Sequence, residues 1–313
     1  MGQVAVDDER SFDILGLGAV AVDDLLYVAA YPAPDEKVRV LRRERHCGGL
    51  TATALVTAAR LGARCTYAGV VGEDDLSSFA LHQLEQEGVD TRYTRRRAEA
   101  RIIYATVVVG AQPPTRNIFF DLNGVVGADP DWPPAEIVRA SRVLLVDHIG
   151  VEGMLRAARL AGEAGIPIVA DLENDQSPHF PELLALVDHL ILSRGFAHTL
   201  TGHSDPASAA LALWSSRRRV VAVTCGEEGA WYVADSGPRI ARHQPTYPVN
   251  TVDSTGCGDV FHGAYAFALA RGLDVVERMR VAAAAAALKA TRPGGQAGIP
   301  SWPTVKAYLE LRS

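Results

Sequence analysis

The stretch RVLLVDHIGVEGMLRAARLAGEAGIPIVAD, residues 142–171, decides the fold. A continuously apolar run at 143–146 is followed by a helical pattern over 154–163 and then by a second apolar run at 168–170. Strand, helix and strand in that order make a βαβ unit, whose two strands lie parallel in one sheet. The same grammar returns around 190–192 and 220–224. Strands without a polar face need cover on both sides, so the predicted fold class is α/β: a doubly wound central sheet flanked by helices.

Two stretches interrupt the alternation, 25–47 and 100–121. In the second, IIYATVVVG and RNIFFD read as strands joined across 111–115 with no helix between them, an antiparallel hairpin. With LLYVAAYP and KVRVLRRERH they predict a small β-sheet lid over a cleft. An edge extension of the main sheet or an oligomer contact are the plainer alternatives. The expected division is 11–24, 48–99 and 122–313 for the α/β domain, and 25–47 and 100–121 for the lid.

Composition excludes several classes. The 313 residues are 48% hydrophobic and 22% charged, which fits a globular chain and neither a disordered nor a fibrous one. A net charge of −6 gives no global attraction to nucleic acid or anionic lipid, so neither is expected as a partner, and any anion must be bound locally. The basic runs 42–45 and 95–97 then read as solvated faces. Cys47, Cys65, Cys225 and Cys257 have neither metal-knuckle spacing nor the density of a secreted scaffold. No leader segment or membrane-length apolar run is visible, and a cytoplasmic protein is expected.

The window most informative about chemistry is VDSTGCGDVFHGA, residues 252–264. Gly256 and Gly258 let the backbone turn tightly and come close to a ligand, and the helix that follows presents unpaired N–H groups and its positive dipole end. Asp259, in the first turn, sits where it can take a proton from an attacking hydroxyl during phosphoryl transfer. An ordinary capped helix is the plain alternative. A second window, CGGLTATALVTAARLG at 47–62, opens a small-residue helix with a glycine pair, which suits a ligand or simply close packing. Upstream, Asp23 and Asp24 offer acceptors suited to the hydroxyls of a polyol.

The stretch from Gly16 formally matches the dinucleotide fingerprint G-x-G-x-x-A, but DDLLYVAAYP is no helix and reaches Pro32 at once, which argues against a nicotinamide site. No P-loop, nucleophile elbow or metal-spaced His/Cys pair occurs.

Together these windows resemble the ribokinase-like family, the PfkB carbohydrate kinases, over nearly the whole chain. VDSTGCGDVFHGAYAFAL resembles the family's D-T-x-G-A-G-D signature, with Ser254 and Cys257 in place of Thr and Ala. The glycine-pair helix and its continuation to GVDT resemble the other. The nearest branch is that of ketohexokinase and sulfofructose kinase, through GGLTATALVTAARLG, DVFHGAYAFALA and ATRPGGQAGIP.

The resemblance implies an ATP-dependent kinase that transfers the γ-phosphoryl group to a hydroxyl of a ketose or ketose-like sugar. Asp259 would be the catalytic base, with the backbone of Gly256, Cys257 and Gly258 stabilising phosphoryl charge. Asp23, Gly48, Gly49 and Thr53 would hold the sugar, with Lys37 or Arg39 supplying charge from the lid and Arg116 reaching over the phosphates. Thr224, Gly226, Gly229, Ser193 and Lys289 would lie on the nucleotide side. ATP and Mg²⁺ are the implied cofactors, K⁺ is left open, and a homodimer through the lid is the implied assembly.

Two departures stand out. Leu50 replaces an Asn that touches sugar in much of the family, and Ser193-Arg194-Gly195-Phe196 replaces its N-x-x-E element. Asp171 and Glu173 are then the nearest carboxylates for arranging metal-bound water, and Arg194 a candidate phosphate contact. A nucleoside kinase of the same fold, or a catalytically silent sugar- or nucleotide-binding protein, are the alternatives.

Overall fold

A computed structural model of the chain describes residues 10–113 and 115–312, so Pro114, in the expected hairpin turn, lies outside the described residues. In chain order the strands are β1 Phe12–Leu17, β2 Ala21–Val28, β3 Arg42–Gly48, β4 Cys65–Tyr67, β5 Val70–Gly72, β6 Arg95–Arg97, β7 Ile103–Gly110, β8 Thr115–Asp121, β9 Ser141–Asp147, β10 Ile168–Asp171, β11 His189–Ser193, β12 Val220–Thr224, β13 Ala230–Ala234 and β14 Arg242–Gln244. Eight of them form the main sheet, ordered β14-β13-β12-β11-β10-β9-β1-β4. From β12 to β4 every pairing is parallel, and β13 and β14 close one edge antiparallel.

The apolar strands are covered on both faces, as their sequence requires. Along β9, Val143 and Leu145 join one core with the helices Leu50–Arg60, Cys257–Ala270 and Val275–Ala290. Leu144 and Val146 point the other way, into a core shared with the helices Val151–Glu163 and Phe180–Leu186. The glycine-pair helix owes much of its composition to packing. A Cβ on Gly263 would lie 2.2 Å from the Ala54 carbonyl oxygen, so the helix Cys257–Ala270 meets Leu50–Arg60 backbone to backbone. The chain order reverses between β1 and β9, the switch point beyond whose carboxyl ends open α/β sheets bind ligands.

The second sheet is the expected lid, ordered β3-β2-β7-β8, with the hairpin β7–β8 antiparallel. It differs from expectation at two places. β2 starts at Ala21, so Asp23 stands on a lid strand and not at the end of a core strand. The cause is Gly18, with φ +140°, where a Cβ would be 2.3 Å from the Asp147 carboxylate. The 37–40 segment is not a strand, and pairing with β2 begins at Arg42. Among the described residues no helix is long and apolar enough to cross a membrane.

Candidate active site

The carboxyl ends of the central strands carry the polar groups. Asp147 ends β9 and faces Asp171 on β10, and Ser193 ends β11 opposite Thr224 on β12. Asp147 is fully buried and staples three segments. Its Oδ2 accepts from the Ala19 N–H at 2.7 Å and the Thr51 hydroxyl at 2.8 Å, and its Oδ1 from the Ile149 N–H at 2.7 Å. Nothing local in the sequence marks this role, because two of the three partners are 128 and 96 residues away.

The loop before the helix Cys257–Ala270 runs over this edge. Gly256 caps the helix with φ +74°, and a Cβ there would stand 2.9 Å from the Gly295 carbonyl oxygen, so glycine is required. A Cβ on Gly258 would meet nothing within 4 Å: the first turn faces open space. Of the three N–H groups expected to face an anion, that of Cys257 is taken by the Ser254 carbonyl at 3.1 Å. Those of Gly256 and Gly258 have no acceptor among the described residues. The Cys257 thiol turns away, to the Ala286 carbonyl. This corrects the expected triad, leaving two glycines as the free donors.

Asp259 lies in the same first turn. Burial pushes its carboxyl well above the ordinary range, the negative charges of Asp171 and Glu173 push further, and His262 opposes them. Asp171 is itself raised, first by burial and then by Glu173 and Asp147. It is 7% exposed, and its Oδ2 makes no well-aligned hydrogen bond among the described residues, lying only near the His262 ring. His262, quoted in the motif but given no role by sequence, locks this corner. Its Nδ1 is 2.8 Å from the Gly258 carbonyl oxygen and 3.2 Å from Asp171 Oδ2, and its Nε2 is 3.0 Å from the Ile191 carbonyl oxygen.

The lid closes the other side. Arg116 on β8 hydrogen-bonds the Thr255 hydroxyl, and its charge also acts on Asp23. Burial raises the Asp23 carboxyl, with Arg116 opposing. Its neighbour Asp24 is spent elsewhere, gripped by Arg45 through two 2.7 Å bonds and by the Tyr104 hydroxyl at 2.9 Å. Asp23 is thus the free carboxylate of the pair, with Gly48 beside it, where a Cβ would lie 3.1 Å from Asp23 Oδ2. Gly49, at φ +94°, fits 2.6 Å from the Ala19 carbonyl oxygen measured from an ideal Cβ.

Three expected contacts have partners of their own. Thr53 is buried, its hydroxyl accepting from the Gln296 amide at 3.1 Å, so it faces the interior and not the cleft. Lys289 is wholly buried and its ammonium donates to the carbonyls of Asp253, at 2.9 Å, and Thr255. It sits beneath the loop and cannot reach a nucleotide as a side chain. Arg194 is held by both oxygens of Glu228, at 2.9 and 2.6 Å, in a solvent-exposed ion pair. Lys37 and Arg39 are exposed in the segment joining β2 to β3.

On the nucleotide side, Thr224 donates to the Leu192 carbonyl at 3.3 Å, and the exposed Ser193 caps the following helix through the Phe196 N–H. Gly226 borders open space, while Gly229 is fixed by packing, since a Cβ there would be 2.2 Å from the Gln244 carbonyl oxygen. Glu173 is exposed. Among the described residues no three His, Cys, Asp or Glu side chains are grouped to hold a metal directly. The carboxylates present suit a metal held through water and phosphate oxygens.

Comparison with known proteins gives the family and the fold. The model of the pfkB family carbohydrate kinases matches residues 17–302. A ribokinase of Bacillus subtilis is 28% identical over 306 residues, covering 95% of this chain and 99% of its own. The crystal structure of an Agrobacterium tumefaciens protein assigned as a ribokinase superposes with a TM-score of 0.85 at 26% identity, covering 96% of this chain and 98% of that one. A ribokinase of Arabidopsis thaliana, solved with ribose and ATP, superposes with a TM-score of 0.83 at 23% identity over 96% of this chain and 99% of that one. The chain belongs to the pfkB family of carbohydrate kinases, phosphotransferases whose acceptor is an alcohol group.

Proposed function

We propose that this protein transfers the γ-phosphoryl group of ATP to a hydroxyl of a ketose or ketose-like sugar. The observation that carries the reading is the pair of unpartnered N–H groups at Gly256 and Gly258, set over open space in the same turn as the Asp259 carboxylate. When bound, ATP supplies the phosphoryl group and Mg²⁺ offsets charge on its phosphates. The Arabidopsis ribokinase of the same fold holds ribose and ATP together, which supports two ligands meeting across this edge. The ketose preference rests on the ketohexokinase-like stretches alone, and Leu50, which cannot reproduce an amide contact to sugar, keeps it from being narrowed to fructose.

In this reading Asp23 holds sugar hydroxyls, with Gly48 and Gly49 admitting the ring close to backbone. Asp259 accepts the proton of the attacking hydroxyl at a carboxylate oxygen. The Gly256 and Gly258 N–H groups take up phosphoryl charge, and Arg116 shields it from the lid side. Thr224, Gly226 and Ser193 border the nucleotide. Asp171 and Glu173 order water around the metal, and the lid excludes bulk water that would hydrolyse ATP.

The test is ATP consumption with Mg²⁺ against a panel of ketoses, aldoses, sugar acids and nucleosides. Highest kcat/KM on a ketose supports the proposal. Preference for ribose corrects the substrate alone, and preference for a nucleoside moves the chain to that class. Binding without turnover on every sugar would identify a silent binding protein.

A homodimer through the lid is part of the proposal. The outer strand β8 exposes Ile118, Phe119 and Phe120 at 50%, 55% and 65%, a large apolar surface for an unpaired sheet edge. Sedimentation of the full chain should give a dimer, and a monomer at about 10 μM, well below mM-range weak association, would reject it. The four cysteines are free thiols, as a reducing cytoplasm would keep them.

A further inference from the structure

Lys289 is one of three lysines in the chain, and it stands in the last turn of the helix Val275–Ala290 with 0% exposure. An ammonium shut off from water must find acceptors or lose its charge. The partners of Lys289 are main-chain carbonyls, those of Asp253 at 2.9 Å and of Thr255. Around it the loop is tied down again. Val252 and Asp253 donate their N–H groups to the Ala290 carbonyl, and the Asp253 carboxylate accepts from Thr255 at 2.9 Å and Gly294 at 2.8 Å. Burial works against the charge of Lys289, and the neighbouring Cys257, Asp253 and Asp259 favour it.

The direction of these bonds matters more than their number. Across a planar trans peptide, the C=O of one residue and the N–H of the next point in opposite senses. A Thr255 carbonyl drawn inward to Lys289 therefore turns the Gly256 N–H outward, to the open side of the loop. Gly256, at φ +74°, has the backbone freedom to let that peptide rotate if nothing held its oxygen. A neutral side chain at 289 would leave two buried carbonyls without their donor.

We propose that Lys289 is a positioning residue: a built-in cation that fixes the 255–256 peptide so that the Gly256 N–H meets the terminal phosphate. With the ammonium on them, the Asp253 and Thr255 carbonyls are closed to any added monovalent ion, so catalysis needs no added K⁺. This rests on the kinase reading of the loop, and its readouts separate the two.

The experiment is Lys289→Met in the full-length protein, with folding followed by circular dichroism. Turnover is expected to fall by roughly 10²-fold, as for loss of one charge-stabilising donor, with sugar KM within about threefold. Calorimetry should show the variant losing at least about tenfold of its preference for a non-hydrolysable ATP analogue over ADP. About 0.1 M ammonium or methylammonium should restore a large part of both losses, and tetramethylammonium, too large for the site, neither. Turnover of the folded variant near that of the parent, or losses that no small ammonium ion repairs, would overturn the proposal.

Should the variant not fold, the parent protein decides. Equal turnover in tetramethylammonium buffer and in K⁺ buffer supports the built-in cation, and strong activation by K⁺ rejects it. If the parent phosphorylates no sugar, the kinase reading fails, while the calorimetric comparison still tests Lys289.

Discussion

Replacing Asp259 by Asn is expected to lower turnover by about 10³-fold, the scale on which a positioned general base works. ATP affinity should stay within about threefold, since the amide keeps the shape of the first turn and the phosphate donors are backbone groups. The same variant should be more stable than the parent. Burial and the negative charges of Asp171 and Glu173 raise the Asp259 carboxyl in the folded state. The sign follows from linkage. A carboxyl raised by folding favours the folded state while it is protonated, and that advantage disappears as the pH climbs past its folded value, leaving a half-buried anion crowded by like charges at a cost. The neutral amide removes the cost, and each kcal/mol relieved would lift the melting midpoint by about 2–4 °C. Calorimetric melting and steady-state turnover on one preparation check both halves. Undiminished turnover would strike Asp259 as the base, and a lowered midpoint would mean that its carboxylate is satisfied by contacts other than those described.

Gly258→Val is expected to abolish nucleotide use without harming the fold. A side chain here begins in open space, because no atom lies within 4 Å of an ideal Cβ, and the residue is not in the left-handed region. Glycine is a poor helix former, so the substitution costs little or gains a few tenths of a kcal/mol in stability. The isopropyl group would stand where the terminal phosphate must approach the Gly256 and Gly258 N–H groups. ATP affinity and turnover should each drop by at least about 10²-fold, with a melting midpoint within about 2 °C of the parent. Gly256 would be a poorer probe, since its φ of +74° and the Gly295 carbonyl 2.9 Å from a Cβ would mix strain with blocked binding. Unchanged ATP affinity in Gly258→Val would move the phosphate site elsewhere.

The parts of this molecule that sequence reading reached are those whose cause is local. The runs 143–146 and 168–170 are apolar on both faces because helices cover both, and period alone reveals that. The loop 252–259 announces itself by glycines whose conformations the structure confirms at Gly256. What escaped reading depends on partners distant in the chain. Asp147 looks like any strand-ending acid until Ala19 and Thr51 arrive. Arg194 looks free until Glu228 takes it. Lys289, placed on the nucleotide side by the resemblance, is buried, and only the docking of the 253–255 loop on its helix shows why. The antiparallel edge β13–β14 left no alternating signal strong enough to separate it from loop.

Only Gly18, Ala19 and Val20 separate the core strand β1 from the lid strand β2 that bears Asp23. In the proposed reading Asp23 holds the sugar from the second sheet while Asp259 belongs to the central frame. This three-residue connection, stapled where the Ala19 N–H donates to Asp147, then sets the span between the acceptor alcohol and its proton acceptor.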